Sequence, residues 1–143
     1  MQAVQEWNVY LPLQVVEEAE TADVKIFRKA PPLKVEPTLK VEPNSKIPRA
    51  RSALTIYDLY IKNNILSHHF RILLSPSQTG DYVLSAVRHE LGHALGIWGH
   101  SQLQTDALYF SQVRHPPLIS VRDVNTLKKV YEHSTSVGWS VLE

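Results

Sequence analysis

The chain has 143 residues, a formal net charge of +1 and 43% hydrophobic residues, which is the length and composition of one globular domain. The small net charge gives no electrostatic footprint of a nucleic-acid partner, and no apolar run reaches the roughly 20 residues that cross a bilayer. The sequence also has no cysteine. This excludes disulfides, thiolate metal ligands and a cysteine nucleophile, so any metal ion would need histidine or carboxylate ligands.

The first third of the chain predicts short elements and one long loop. Residues 1–11 carry apolar residues at helical spacing and precede Pro12, so they indicate the end of a helix. Residues 13–16 and 24–27 have the composition of short strands. Residues 30–49 contain five prolines and a tandem LKVEP, and they predict an exposed, extended loop within the domain.

The middle of the chain predicts two longer strands and a helix. Strand composition covers residues 52–60 and 66–74, with a polar turn between them. Asp81 is placed to cap a helix whose apolar residues recur on one stripe. Gly96 stands where a left-handed residue would end that helix.

The last part predicts an irregular segment at 97–119 and a closing helix. Ser120 and Asp123 have the spacing of a capping box at the start of that helix. The order of elements predicts an α+β fold. In it a twisted mixed sheet is covered by the central helix and a second helix, and a C-terminal helix follows the irregular segment.

The motif that carries chemistry is His-Glu-Leu-Gly-His at positions 89–93. His89 and His93 are four residues apart on the predicted helix, so their rings lie on one face and can share one Zn²⁺. Glu90 lies beside that pair, in a position suited to a general base that takes a proton from a zinc-bound water.

A catalytic zinc ion needs a third protein ligand and one open position. His100 is the favoured third ligand, because Gly96 can end the helix and Gly99 can help the chain return. Glu132 on the closing helix is the alternative third ligand. Asp106 is expected to stabilise a turn through local backbone hydrogen bonds, or else to be an additional ligand.

Residues 89–101, HELGHALGIWGHS, resemble the zinc signature of the metzincin metallopeptidases. The resemblance is to the matrixin branch, in which serine follows the third histidine as Ser101 does here, and to the bacterial predicted zinc-dependent peptidases of that type. Three further segments resemble matrixin patterns in the family's order: residues 7–13, 22–26 and 120–131.

The resemblance implies a zincin-like α+β fold and one catalytic Zn²⁺ bound by His89, His93 and His100, with Glu90 as the catalytic residue. It implies a zinc-dependent endopeptidase that acts on proteins or peptides, exported from the cytoplasm and working as a monomer. Residues 1–143 are then a single catalytic domain that lacks the family's first strand and half of its first helix. A structural calcium site is not indicated.

Three departures from the family pattern are visible. Three residues rather than two separate Gly96 from His100, and Leu108 stands where matrixins have a methionine beneath the metal. The third is the missing amino-terminal piece. These departures motivate the alternative hypothesis of a catalytically inactive, matrixin-like domain that binds zinc or peptides.

The roles of several residues near the motif stay open on sequence alone. Trp98 is either a core residue or a cover over the metal, with the core favoured. Tyr109 either stabilises an oxyanion or lines a wall of the specificity pocket, with the wall favoured. The strand at 52–60 or its neighbour is expected to be the sheet edge on which an extended substrate pairs. His68 and His69 are adjacent, so on a strand they face opposite sides and do not readily share one metal.

Overall fold

The computed structural model describes residues 1–33 and 51–142. Most of the predicted loop at 30–49 therefore lies outside the described residues. A short 3₁₀ turn covers Ala19–Thr21. The helices and strands of the described part are α1 (Gln2–Asn8), β1 (Val24–Phe27), β2 (Ala53–Lys62), β3 (Ile65–Leu74), α2 (Asp81–Ala94) and α3 (Val121–Glu132).

The three strands of the described residues form one mixed sheet in the order β1-β3-β2. β1 pairs parallel with β3, and β2 pairs antiparallel with β3 along its whole length. A two-residue turn joins β2 to β3, and both of its residues, Asn63 and Asn64, have positive φ. Asparagine tolerates this conformation, which the commonest hairpin turn requires. Among the described strands, β2 is at the edge of the sheet.

The core lies between the sheet and α2. Phe70, Ile72 and Leu74 alternate on the inner face of β3, and they pack with Val87 and Leu91 from the apolar stripe of α2. α1 packs mainly on α2. The α+β class and the mixed sheet agree with the sequence-based prediction. The predicted cover of the sheet by a second helix is wrong, because α2 packs on β2 and β3 whereas α1 packs on α2.

A buried ion pair fastens α1 to α2. Trp7 is fully buried, and its indole nitrogen donates to the carbonyl oxygen of Arg88 at 2.8 Å. The guanidinium of Arg88, itself buried, contacts the carboxylate of Glu6 at 2.6 Å and donates to the carbonyl oxygen of Pro117 at 2.8 Å. Arg88 therefore connects three parts of the chain one residue before the histidine motif begins.

The helix ends differ in how well the sequence predicted them. Ser120 and Asp123 form the predicted capping box of α3. Gly96 has φ +120 after α2, as predicted for the residue that ends this helix. Asp81 is not the cap of α2: Gly80 takes that position and no side chain caps it. Asp81 is instead the first helical residue, where its negative charge is favourable near the helix N-terminus.

The strand predicted at 13–16 is wrong. The backbone amide of Leu13 donates to the Asn8 side chain at 2.6 Å, and Val15 is 71% exposed. A strand needs a neighbouring strand to satisfy its backbone groups, and this segment has none among the described residues. None of the described helices has both the length and the apolar character required to cross a bilayer.

Candidate metal centre

Three histidine side chains converge at the carboxyl end of α2. The Nε2 atoms of His89 and His93 are 3.0 Å apart, and those of His93 and His100 are 3.2 Å apart. Within residues 1–33 and 51–142, these three residues form the group whose ligand atoms lie close enough for one metal ion. Glu132, the alternative third ligand, does not belong to it.

Backbone carbonyl groups fix the orientation of the two helical histidines. His89 Nδ1 lies 2.8 Å from the Ala107 oxygen, and His93 Nδ1 lies 2.6 Å from the Ile97 oxygen. A carbonyl oxygen only accepts, so each Nδ1 carries the proton and each Nε2 presents its lone pair. A hydrogen bond from the other ring nitrogen to a backbone carbonyl group typically orients metal-binding imidazoles in this way.

The spacing and the chemistry of the donors fit a tetrahedral metal ion. Two nitrogens at 2.0–2.1 Å from one Zn²⁺ in tetrahedral geometry are separated by about 3.3 Å. Two lone pairs 3.0 Å apart repel each other, and a shared cation removes that repulsion. Burial, followed by the charge of His93, lowers the pKa of His89 to about 4. This imidazole is therefore neutral near pH 7, which is the form that binds a metal.

Glu90 lies on α2 between the two helical ligands but outside their cluster. Its carboxylate is 7% exposed and accepts a hydrogen bond of 2.5 Å from the Thr55 hydroxyl of β2. Burial raises the pKa of Glu90, while the Thr55 hydrogen bond opposes that rise. The structure therefore places one oriented carboxylate beside the three histidines and against the edge strand.

Close packing explains the glycine inside the histidine motif. A β-carbon at Gly92 would lie 2.7 Å from Leu108 and 3.1 Å from Trp7. Leu108 is 2% exposed, so this leucine packs directly against the helix turn that bears His89 and His93. In the matrixin pattern that the sequence resembles, a methionine is expected at this position.

The carboxylate of Asp123 holds the turn that contains Leu108. It accepts from the backbone amides of Ala107 at 2.8 Å and Leu108 at 3.3 Å. The carbonyl group of the same Ala107 is the partner of His89. The helix cap of α3 is thus connected to a metal ligand through a single residue.

A second network holds the segment next to His100. Ser101 and Tyr109 form a parallel bridge, with the Ser101 amide 2.7 Å from the Leu108 oxygen. The Ser101 hydroxyl donates to Asp106 at 2.5 Å, and Arg122 contacts the same carboxylate at 2.7 Å. Asp106 therefore has the predicted structural role rather than that of an additional ligand, although its partners are side chains.

An open cleft of about 760 Å³ lies over the three histidines. One side is β2 with Ala53, Thr55 and Tyr57, and another side is the segment 107–113. Tyr109 lines this second side, a position compatible with both roles that the sequence left open for it.

Trp98 does not belong to the core. Its side chain is 64% exposed and lines the cleft, so the favoured interpretation of this residue was wrong. The chain between Gly96 and His100 is one residue longer than the family signature, and the tryptophan projects outward from it.

The adjacent histidines of β3 lie away from the metal cluster. His69 contacts Asp58 of the neighbouring strand at 3.1 Å, and the ring of His68 packs edge-on against Phe70. As expected from strand alternation, they do not share one site.

Sequence reasoning missed two contacts of the site. Thr55 gave no signal, because its contact with Glu90 depends on how a strand and a helix pack. Asp123 was recognised only as part of a capping box. That motif predicts the start of a helix and says nothing of a second set of amides on the preceding turn.

Comparisons of the chain with family models, with curated proteins and with solved structures find no match. The case for a function therefore depends on the residues and the geometry of this site.

Proposed function

We propose that this protein is a zinc-dependent endopeptidase with a matrixin-like, metzincin-type fold. The observation that carries the proposal is the convergence of three imidazole Nε2 atoms beside a buried glutamate in an open cleft. His89, His93 and His100 would hold the Zn²⁺, and three protein ligands leave one position open for chemistry.

A zinc ion held in this way supplies Lewis acidity, which lowers the pKa of water towards 7 and polarises the carbonyl group under attack. Glu90 is the general base: it takes a proton from the attacking water and gives it to the leaving amine. The raised pKa of Glu90 favours the first transfer, because a more basic carboxylate accepts a proton more readily. Thr55 fixes one carboxylate oxygen and thereby limits the orientations of the base.

We expect the substrate backbone to bind along the edge of β2 that pairs with no described strand. An extended peptide can add a strand to an exposed sheet edge and satisfy its own backbone groups there. Because Thr55 is part of this edge strand, a paired peptide would pass directly over Glu90. The partners are therefore unfolded or extended segments of proteins. Export from the cytoplasm and a monomeric state remain part of the proposal.

The test begins with metal content and hydrolysis together. Zinc is measured by elemental analysis of the purified protein, and cleavage of casein and of a peptide library is followed with and without a chelator. We expect one equivalent of zinc and cleavage that the chelator stops and added zinc restores.

The variant Glu90→Gln keeps the size of the side chain but removes the base. We expect it to retain zinc and lose about 10²- to 10⁴-fold in kcat/KM. Glu132→Gln is the matched control, since this exposed glutamate lies at the end of α3 and outside the histidine cluster. Stoichiometric zinc without chelator-sensitive cleavage would contradict the peptidase proposal and favour a zinc- or peptide-binding domain.

A further inference from the structure

The cleft carries an exposed pair of aromatic side chains beside the metal ligands. The rings of Tyr57 and Trp98 are 4.9 Å apart with an angle of 34° between them, and their exposed fractions are 44% and 64%. Both line the cleft together with His100. We call Tyr57 and Trp98 the aromatic ledge.

A core residue packs against the aromatic ledge. Tyr57 pairs in register with Phe70, whose ring is 6.1 Å away and 6% exposed. Phe70 belongs to the hydrophobic core, so one face of the Tyr57 ring is backed by fixed structure. Single exposed apolar residues are ordinary on protein surfaces. Two rings in contact, one of them packed on the core and both lining the cleft, instead form a fixed apolar surface.

The position of the ledge along β2 indicates which part of a substrate would reach it. Thr55 marks the reacting centre, because its hydroxyl contacts Glu90. Tyr57 lies two residues further along β2 and on the same face, which is about 6.8 Å in an extended strand. A peptide paired with this edge therefore places a side chain on the ledge within about three residues of the cleaved bond.

The direction of β2 indicates whether the substrate residues at the ledge precede or follow the cleaved bond. Antiparallel pairing is slightly more stable per residue than parallel pairing, so the substrate is taken to run opposite to β2. Since β2 runs from Ala53 towards Lys62, substrate residues opposite Tyr57 precede the cleaved bond.

We propose that the aromatic ledge is a specificity subsite for an aromatic or large aliphatic substrate side chain on the N-terminal side of the cleaved bond. This proposal rests on the proposed peptidase function and names the substrate class of the same cleft. Trp98 and Tyr57 offer ring faces, on which an aromatic side chain gains attraction beyond the burial of its area.

Peptide binding tests the ledge without catalysis. The zinc-loaded Glu90→Gln protein is titrated with short blocked peptides that each carry one phenylalanine in an alanine and serine background, and with the peptide that has none. Binding is followed by tryptophan fluorescence in a Trp139→Phe background, which removes the other exposed tryptophan. We expect one position of phenylalanine to tighten binding about 3- to 10-fold.

Variants of Tyr57 and Trp98 test whether the aromatic ledge causes the preference for phenylalanine. Trp98→Ala, with binding followed by calorimetry and zinc content measured alongside, is expected to abolish the preference for phenylalanine, and Tyr57→Ala to reduce it. Trp98→Phe is expected to retain most of it. Trp139→Ala is the matched control, because this exposed tryptophan is not among the residues that line the cleft. An unchanged preference in zinc-loaded Trp98→Ala would overturn the proposal.

Cleavage of the peptide library by the unmutated protein locates the subsite relative to the cleaved bond. Enrichment of aromatic residues before that bond supports the proposal, and enrichment only after it overturns the assigned side. Zinc-loaded protein that prefers phenylalanine but cleaves nothing would defeat the peptidase proposal while leaving an aromatic-binding ledge. The two failures are therefore distinguishable.

Discussion

The two halves of the candidate metal centre are built in different ways. His89 and His93 are on α2, where the helical repeat alone puts them on one face. His100 lies in an irregular segment that is held by Ser101, Leu108 and α3. The helical half therefore depends on local structure, whereas the loop half depends on contacts with residues far along the chain. Variants that change only one half test whether the two halves differ in this way.

The largest expected effect is the loss of a ligand. The Nε2 atom of His93 lies 3.0 Å from that of His89 and 3.2 Å from that of His100, so His93→Ala removes a shared neighbour of the other two rings. We expect His93→Ala and His100→Ala each to weaken zinc binding by well over the ~100-fold that loss of an outer-shell partner can cost. Competition with a chromophoric chelator measures the change.

The control for these variants is Glu132→Gln, which we expect to leave zinc affinity unchanged. If it weakened zinc binding as much as His100→Ala, the third ligand would lie on α3 and the contrast between helix and loop would fail.

The second effect concerns the glycine at the boundary of the two halves. Gly96 has φ +120, and a β-carbon there would lie 2.7 Å from Val130 of α3. Gly96→Ala should therefore reduce the free energy of unfolding by about 3 kcal/mol, from backbone strain and overpacking together. Urea denaturation of the chelator-treated protein measures this without a contribution from metal binding.

Gly99 provides the matched comparison within the same segment. Its φ is not positive, and a β-carbon there meets nothing within 4 Å. Gly99→Ala should leave the stability within about 0.5 kcal/mol of the unmutated protein. Equal losses for the two variants would mean that neither conformation nor space distinguishes these glycines.

The third effect tests the link between α3 and the helical ligand. Asp123→Asn leaves an amide in place of a buried carboxylate that accepts from the amides of Ala107, Leu108 and Ser120. We expect about 2 kcal/mol of lost stability and up to about 10-fold weaker zinc binding, through the Ala107 partner of His89. Unchanged zinc affinity, with the stability lost, would show that the cap serves α3 alone.

The smallest effect is a dependence of stability on pH. The Arg122 guanidinium, helped by Ser101 and Ser120, lowers the pKa of Asp106 to about 2, below its ordinary value of about 3.9. Between these values the unfolded chain binds more protons than the native protein. The stabilising contribution is therefore complete above about pH 5 and is lost as the pH falls towards 2.

The matched variant Asp106→Asn isolates this contribution. Its stability deficit relative to the unmutated protein should be constant above about pH 5 and should shrink by about 1 kcal/mol by pH 2, a modest value because Arg122 is exposed. Urea denaturation at each pH, with a chelator throughout, measures the deficit. A deficit that did not change with pH would exclude this carboxylate as the titrating group.

The sequence predicted the features that depend on local structure better than those that depend on distant contacts. α2 with its histidine motif and the capping box of α3 depend on neighbours within about four residues, and the hairpin strands depend on the composition of each strand and the short turn between them. The structure confirms all three. The histidine motif even led to His100, because a glycine that ends a helix lets the chain turn back.

The errors lie where distant packing decides. Residues 13–16 have strand composition but no partner strand among the described residues. Trp98 has a large apolar side chain, as core residues do, and only the path of the chain after Gly96 exposes it. Thr55 reaches Glu90, 35 positions along the chain, because a strand and a helix pack together, which no local pattern encodes.

The buried Arg88 has a consequence for how the protein can be damaged. Its guanidinium links Glu6 of α1 to the carbonyl group of Pro117 at the cleft. A proteolytic nick in the exposed stretch just after α1, followed by release of the helix, would remove the carboxylate of Glu6 and the buried Trp7 together, and would leave the guanidinium with its bond to Pro117. Cleavage after α1 would thus alter the support of a residue that lines the cleft.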